Sequence, residues 1–372
     1  MSPRRLFLHS VLFFICIATL SASSGPVSAE VRGLGVGHDG RAYVLLVDAS
    51  KPTAEVRVFD MSGARVGGFT PSLGDGSGSN VGLALGPAGT LWISCASALH
   101  EFDSSGKLVR RVDLPPTERG DKPYKPSGVA LGADGNIFVV QQAIYTMDAS
   151  LSLDLVRPGV SLSPQSEARR TSAACVLVLE STGQTLGRWG SGSAGDEALE
   201  GPVALTTDVV GNLYVVDQSA SAIRVFDHRG VSLRRFAVQG PPLTAELKRL
   251  YWLRPELIAA DPKGSRLYVG CSYSLTAVGV EETLKEVNRL LDALQTNSKP
   301  ASLSNLPEQP VARVCVFDIE GRLVTSWPVE EWRTVQWSGL AVASTGEILV
   351  AEETGLILVF APDGRLLRRL KI

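Results

Sequence analysis

The sequence has 372 residues, a formal net charge of −2 and 44% hydrophobic residues. A chain of this length has ample material for a buried core and for a domain built from repeats. No run of Lys or Arg is longer than two residues, so the sequence lacks the basic footprint of a nucleic-acid-binding protein.

Residues 1–29 have the features of an export signal. Arg4 and Arg5 precede an apolar run over 11–20, and small residues end the segment at Ala29. The run is too short to span a membrane as a helix, and no later segment approaches the length that spanning needs. Because the segment carries those two arginines and no acid, we expect a secreted or periplasmic chain 30–372 of net charge near −4 without a membrane span. The general secretory route and the twin-arginine route both remain open, since Arg4 and Arg5 also resemble a twin-arginine motif.

The stretch 203–236 reads as four short β-strands: VALTT, NLYVVD, AIRVFD and SLRRF. Alternating and β-branched residues support each strand, and Gly211 and Gly230 mark the turns. A single four-stranded sheet cannot bury both of its faces. The unit therefore needs neighbours of its own kind.

Both turn signatures of this unit occur six times along the chain, in strict alternation. The glycine before the second strand occurs as Gly40, Gly89, Gly135, Gly211, Gly264 and Gly346. The glycine after the third strand, in segments such as VFDMSG and VFDIEG, occurs as Gly63, Gly106, Gly183, Gly230, Gly321 and Gly364.

This pattern resembles the NHL repeat, G-[VIL]-A-x-x-x-x-G-x-[IL]-[YF]-V-x-D followed by [IV]-x-V-[FY]-D-x-x-G, over nearly all of 31–372. The resemblance implies an all-β fold, a six-bladed β-propeller, a radial arrangement that leaves only short sheet edges. The expected blades are about 31–70, 81–114, 127–189, 202–238, 256–327 and 338–372. Propellers host lyases, hydrolases and binding scaffolds, so the resemblance does not set the function.

Long connections are expected on one face of this propeller. The first-to-second and third-to-fourth turns are short in every repeat, whereas the other connections include insertions at 149–174 and 275–312. The apolar spacing within 281–295 predicts a helical insertion, and Thr244 is a candidate N-cap of a second, short helix. Because long loops in compact domains are usually functional or disordered, we place any binding site on this face.

Four cysteines remain after signal removal: Cys95, Cys175, Cys271 and Cys315. An even count in an exported chain allows disulfides, and the pairing stays open. Cys95 and Cys271 occupy equivalent positions three blades apart and should not meet. The hairpin register of the fourth repeat, applied to the fifth, predicts that Cys271 and Cys315 point to opposite faces of their sheet. Buried apolar roles are the alternative for all four.

The sequence offers no convincing catalytic constellation. Three histidines remain after signal removal, and they fall at separate places in the repeats. This differs from the peptidylglycine amidating lyases, NHL propellers that bind zinc through a histidine cluster. Other six-bladed enzymes hold a calcium-like ion with oxygen ligands near the axis. For that alternative, a metal-dependent hydrolase or lyase, the candidate ligands are Asp217, Glu256 and Glu352, although an acid at Asp217 also belongs to the NHL pattern.

Aromatic side chains are concentrated in the connections of the long-loop face. Such residues bind sugars and peptides, but they equally often fix long links onto a propeller. The candidate binding residues are Tyr124, Trp252, Glu256, Trp332 and Trp337. We therefore expect an exported, non-enzymatic scaffold that binds a protein, peptide or glycan and needs no cofactor.

Overall fold

The computed structural model describes residues 29–48, 53–73, 81–86, 89–95, 97–115, 126–141, 145–146, 169–170, 174–190, 198–276, 278–279, 282, 310–330 and 337–372. These residues form six four-stranded antiparallel sheets, and in each sheet the strand order follows the chain from the axis outward. The predicted all-β, six-bladed propeller is confirmed.

The strands are numbered in chain order. Blade 1 consists of β1 (Glu30–Val36), β2 (Ala42–Asp48), β3 (Thr53–Phe59) and β4 (Arg65–Phe69). Blade 2 consists of β5 (Val81–Leu85), β6 (Leu91–Cys95), β7 (Ala98–Phe102) and β8 (Leu108–Asp113). Blade 3 consists of β9 (Pro126–Leu131), β10 (Ile137–Gln141), β13 (Cys175–Leu179) and β14 (Thr185–Trp189). Its second and third strands are separated by a small ribbon of β11 (Tyr145–Thr146) and β12 (Arg169–Arg170).

Blade 4 consists of β15 (Pro202–Thr207), β16 (Leu213–Asp217), β17 (Ala222–Phe226) and β18 (Ser232–Ala237). Blade 5 consists of β19 (Tyr251–Ala260), β20 (Arg266–Leu275), β21 (Arg313–Asp318) and β22 (Leu323–Pro328). Blade 6 consists of β23 (Trp337–Val342), β24 (Ile348–Glu352), β25 (Leu356–Phe360) and β26 (Leu366–Lys371). One helix, α1 (Ala245–Leu250), precedes blade 5, and Thr244 is its N-cap, as predicted. The helix expected over 281–295 lies outside the described residues, apart from Glu282.

Apolar side chains between neighbouring blades form the core. Each of six buried clusters joins two adjacent blades, and together they run once around the ring. A sheet buried on both faces loses its polar-apolar alternation, which is why strands such as LYVVD in blade 4 are buried along their whole length.

The ring closes between blade 6 and blade 1 without exchange of a strand, because each blade is built from one continuous segment. The backbone N–H of Val31 donates to the carbonyl oxygen of Glu353 at 3.0 Å. Arg32 forms ion pairs with Glu353, at 2.8 Å, and with Glu30. Burial raises the pKa of Glu353, and the Arg32 charge opposes that rise.

The turn between the third and fourth strands of each blade, which we call the outer turn, packs against the preceding blade. An apolar side chain from the outermost strand of one blade lies over the turn glycine that follows the third strand of the next blade. The pairs are Phe69 with Gly106, Val112 with Gly183, Trp189 with Gly230, Phe236 with Gly321, Trp327 with Gly364 and, closing the ring, Leu370 with Gly63. At all six glycines φ lies between +84° and +96°, and an added Cβ would lie less than 3.0 Å from the apolar side chain.

The rest of the outer-turn motif supports the same contact. In blade 4, Asp227 Oδ1 accepts hydrogen bonds from the backbone N–H groups of Arg229 and Val231, both at 2.9 Å, and so shapes the turn. These bonds hold the pKa of Asp227 below its usual value. The aromatic residue before it, Phe226, has its ring centroid 6.1 Å from that of Trp189 in blade 3. The sequence F-D-x-x-G therefore encodes a junction between blades as well as a turn.

Within the described ranges, no helix has the length and apolar character required to cross a membrane.

The glycine contact predicts unequal effects for two turn substitutions in blade 4. Gly230 and Gly211 have similar φ angles, +85° and +89°. In Gly230→Ala the new methyl group lies against the Trp189 ring, whereas in Gly211→Ala the nearest atom to the new methyl group is 3.9 Å away. We expect both to lose about 1–2 kcal/mol through backbone strain and Gly230→Ala to lose about 1–3 kcal/mol more through overpacking. Denaturant unfolding of the two variants measures the difference, and equal losses would contradict the contact.

Candidate functional site

Two strands of blade 5 extend far beyond their counterparts on the long-loop face, the side opposite the short turns such as 208–212. β19 and β20 each have ten residues and pair along their whole length, from Tyr251 opposite Leu275 to Ala260 opposite Leu267. The corresponding inner strands of the other blades have five to seven residues. The paired segments 251–255 and 271–275 therefore form a projecting ribbon.

One face of the projecting ribbon is covered by α1. Tyr251, Tyr273 and Leu250 form a small buried cluster, against which Leu247 and Leu253 pack. The chain after the ribbon is tied to the same helix, because the Thr276 N–H donates to the Leu250 carbonyl oxygen at 2.8 Å. Burial raises the pKa of Tyr251 and of Tyr273 above the usual value of a phenol. The ribbon is thus supported by its own apolar cluster.

The other face of the ribbon is polar and aromatic, and it points towards blade 6. Trp252 pairs with Ser274, and Arg254 pairs with Ser272, so these four side chains share one face. On the same face of β20, Gly270 lies against the Trp337 ring of blade 6: an added Cβ would be 2.9 Å from it. Trp252, Arg254, Ser272 and Ser274 are all partly exposed.

A β-bulge sets Glu256 at the base of this face. The register of β19 shifts between Pro255 and Leu257, which leaves Glu256 without a partner residue on β20. Comparable shifts occur at the start of β1, β9, β15 and β23, but not of β5. Bulges re-aim side chains and often border functional sites.

Glu256 is held by its neighbours on the ribbon. Arg254 Nη2 lies 3.0 Å from Glu256 Oε1, and the Ser272 hydroxyl donates to the same oxygen. The Glu256 side chain is 13% exposed and that of Arg254 is 35% exposed. The arrangement leaves a guanidinium, hydroxyl groups and an indole available to hydrogen-bond and stack with a ligand.

Four of the predicted site residues lie at this junction of blades 5 and 6. Besides Trp252 and Glu256, it contains Trp337, which is 7% exposed within the interblade cluster, and Glu352, which is 8% exposed and accepts a hydrogen bond from Thr354. The packing of Trp337 favours the interpretation that link aromatics fix the propeller. Tyr124 and Trp332 lie outside the described residues. We call Trp252, Arg254, Glu256, Ser272, Ser274 and Glu352 the blade 5–6 site.

Asp217 lies elsewhere, on the face of blade 4 that packs against blade 3. Its two carboxylate oxygens accept hydrogen bonds from the backbone N–H groups of Glu200, at 3.1 Å, and Gly201, at 2.8 Å. It therefore orders the link into its own blade. Among the described residues, no hydrogen bond or ion pair joins Asp217, Glu256 and Glu352 to one another, and no group of three or more His, Cys, Asp or Glu could hold a metal ion. The calcium-type alternative remains a prediction.

The prediction for the fifth-blade cysteines was wrong. In the register of β20 and β21, Val269 lies opposite Cys315 and Cys271 lies opposite Arg313. Cys271 and Cys315 therefore point to the same face of the sheet, towards blade 4, and both belong to the buried cluster between these blades. Blade 5 has the same register as blade 4, in which Val215 lies opposite Arg224 and Asp217 lies opposite Ala222. The equivalents of the two cysteines, Asp217 and Arg224, therefore also share a face, and the repeat correctly applied places Cys271 and Cys315 together.

Sequence reasoning missed Arg224, a buried cation in the middle of β17. Arg224 is 2% exposed on the face of blade 4 that packs against blade 3, and its Nε and Nη2 atoms are buried without a hydrogen-bond partner. Its register partner on β18 is Arg235, and on β16 Asp217 shares its face, two residues along from the partner Val215. The sequence signal was the charge inside AIRVF, a strand buried at every position. A guanidinium with open donors has the capacity to bind an oxyanion.

No protein-family model matches the chain, and no curated protein sequence is significantly similar to it. The structure is similar to a member of the DUF4221 family from Bacteroides vulgatus, with TM-score 0.50, 12% identity, and coverage of 87% of this chain and 88% of that one. It is also similar to U3-55K, with TM-score 0.50, 10% identity and coverage of 92% and 82%. Virginiamycin B lyase from Staphylococcus aureus follows at TM-score 0.48, 14% identity and coverage of 89% and 94%. At these identities the likeness concerns the fold alone, which is that of a β-propeller. That its blades are NHL repeats stays a prediction.

The burial of Arg224 predicts that its charge opposes folding. Arg224→Met keeps an unbranched side chain of similar reach and removes a buried guanidinium whose Nε and Nη2 atoms have no hydrogen-bond partner, so we expect the free energy of unfolding to rise by about 1–3 kcal/mol. Arg235→Met, at the exposed partner position, should change it by less than about 0.5 kcal/mol. Denaturant unfolding in a buffer without multivalent anions measures both, and a loss of stability in Arg224→Met would show that the cation is compensated.

Proposed function

We propose that this protein is an exported NHL-type propeller that binds a protein, peptide or glycan through its long-loop face. The supporting observation is the projecting ribbon of blade 5, which presents Trp252 and Arg254 on a partly exposed polar face beside blade 6. Trp and Arg are enriched among the residues that dominate binding energy at interfaces.

The support of the ribbon backbone favours the same proposal. The ribbon continues two strands of a closed ring and packs against α1 on its other face. A preorganised surface loses less conformational entropy on binding than a mobile loop. We call the side opposite the long-loop face the plain face. Its short turns, such as 208–212 and 227–231, carry no extension comparable to the projecting ribbon.

Ligand selection tests this proposal. The chain from Glu30 is used to select binders from a phage-displayed random peptide library and from a glycan array, and dissociation constants are measured for the selected ligands. We expect Trp252→Ala and Arg254→Ala each to weaken binding about 10–30-fold, as the loss of an interface hot spot does. The melting temperature of Trp252→Ala should stay close to the wild type, because this side chain is partly exposed, whereas that of Arg254→Ala should fall, because Glu256, 13% exposed, loses its cation.

Val210→Ala is the matched control, because Val210 is 73% exposed in a turn of the plain face. It should leave every dissociation constant within about twofold of the wild type. Selected ligands that bind Val210→Ala more weakly than the wild type, but bind both ribbon variants with unchanged affinity, would contradict binding through the long-loop face. An intact mass of the exported product that includes residues 1–29 would contradict signal removal.

A further inference from the structure

Cys271 and Cys315 form a pair of neighbouring thiols in blade 5. They lie on adjacent strands and on the same face, two residues apart diagonally, since Cys315 is opposite Val269 and Cys271 is opposite Arg313. Both side chains are 0% exposed within the apolar cluster between blades 4 and 5. Both are free thiols in this structure, and the Cys271 thiol donates to the backbone carbonyl oxygen of Val269 at 3.7 Å.

The two thiols differ in their electrostatic surroundings. In the folded protein, burial raises the pKa of Cys271 well above its usual value, and the neighbouring Cys315 thiol adds to that rise. The neighbouring Cys271 thiol lowers the pKa of Cys315, and the Arg313 charge acts in the same direction.

The two cysteines lie on the strands that flank the longest insertion of the chain. β20 ends at Leu275 and β21 begins at Arg313, so these two strands carry the exit and the entry of the longest insertion, 276–312. A covalent link between the strands would close this insertion into a loop at its base. The same strand β20 carries Ser272 and Ser274 of the blade 5–6 site.

We propose that Cys271 and Cys315 are a site of oxidative modification and form an intrachain disulfide that closes the base of the 276–312 insertion. The inference is independent of the proposed binding function. The thiolate of one of the two cysteines attacks a small-molecule or protein disulfide and releases one thiolate. The thiolate of the other then attacks the sulfur of the first cysteine and releases the second. The two cysteines lose two electrons and two protons, and the external disulfide is reduced to two thiols.

The burial of the pair places this reaction in folding, before blade 4 covers the face of blade 5. The remaining cysteines of the propeller do not compete for either partner. Cys95 belongs to the cluster between blades 1 and 2, and Cys175 donates to Gln141 Oε1 at 3.3 Å in blade 3. Because each lies at a different junction, the native fold allows only the link between β20 and β21 among these four described cysteines.

Refolding in two redox buffers tests the proposal. The denatured chain 30–372 is refolded with reduced glutathione or with a mixture containing oxidised glutathione, and thiols are then alkylated in denaturant and counted by mass spectrometry. We expect about four alkylated thiols after reducing refolding and about two after oxidising refolding, with a peptide that links Cys271 to Cys315. The oxidised form should melt about 3–6 °C higher, since the bond closes a long loop.

Cysteine-to-alanine variants identify which two cysteines form the disulfide. Cys271→Ala and Cys315→Ala should each abolish the linked peptide and the difference in melting temperature between the two buffers, whereas Cys95→Ala should keep both. Because the wild-type thiol count alone decides the outcome, a variant that folds poorly does not remove the test. Four alkylated thiols after oxidising refolding, or a linked peptide that contains Cys95 or Cys175, would overturn the proposal.

Discussion

The structure depends on one contact, an apolar side chain of an outer strand that lies over the turn glycine of the next blade. Glycine is required at this position for two reasons: its φ is positive, and no space remains for a Cβ. The neighbouring aromatic residue and the turn aspartate reinforce the contact, as Phe226 and Asp227 do in blade 4. Since each contact joins two blades, six of them turn separate sheets into a ring.

Such a ring divides the molecule into two unlike faces. On the plain face, turns of the outer type carry the glycine contacts, so their length and shape are constrained. On the long-loop face, blade 5 extends as a projecting ribbon with its own apolar support. This asymmetry is the physical basis for placing the blade 5–6 site, with Trp252 and Arg254, on the long-loop face.

The sequence was sufficient for the fold because the signals of the fold are local. Turn glycines and the F-D-x-x-G motif fall within a few residues of the strands that they join, and Thr244 could be recognised as an N-cap in the same way. Features that depend on pairing between residues distant in the chain could not be predicted from the sequence. The extension of β19 to Tyr251 follows from pairing with β20. The shared face of Cys271 and Cys315, by contrast, was readable from the repeat, because the equivalent residues Asp217 and Arg224 of blade 4 also share a face. The burial of Arg224 depends on packing between blades 3 and 4, which no single strand reveals.

Hydrogen exchange at the junction of blades 6 and 1 tests the closed ring most directly, because this junction joins the two ends of the propeller. We predict that the Val31 amide, which donates to the Glu353 carbonyl oxygen, exchanges within about tenfold of the amides in the inner strands of the other blades. That result would show that the ring opens as one cooperative unit. Exchange of β1 and β26 faster than the other blades by a factor of about a hundred or more would contradict it, since the closing contact would then add little to the stability of the ring.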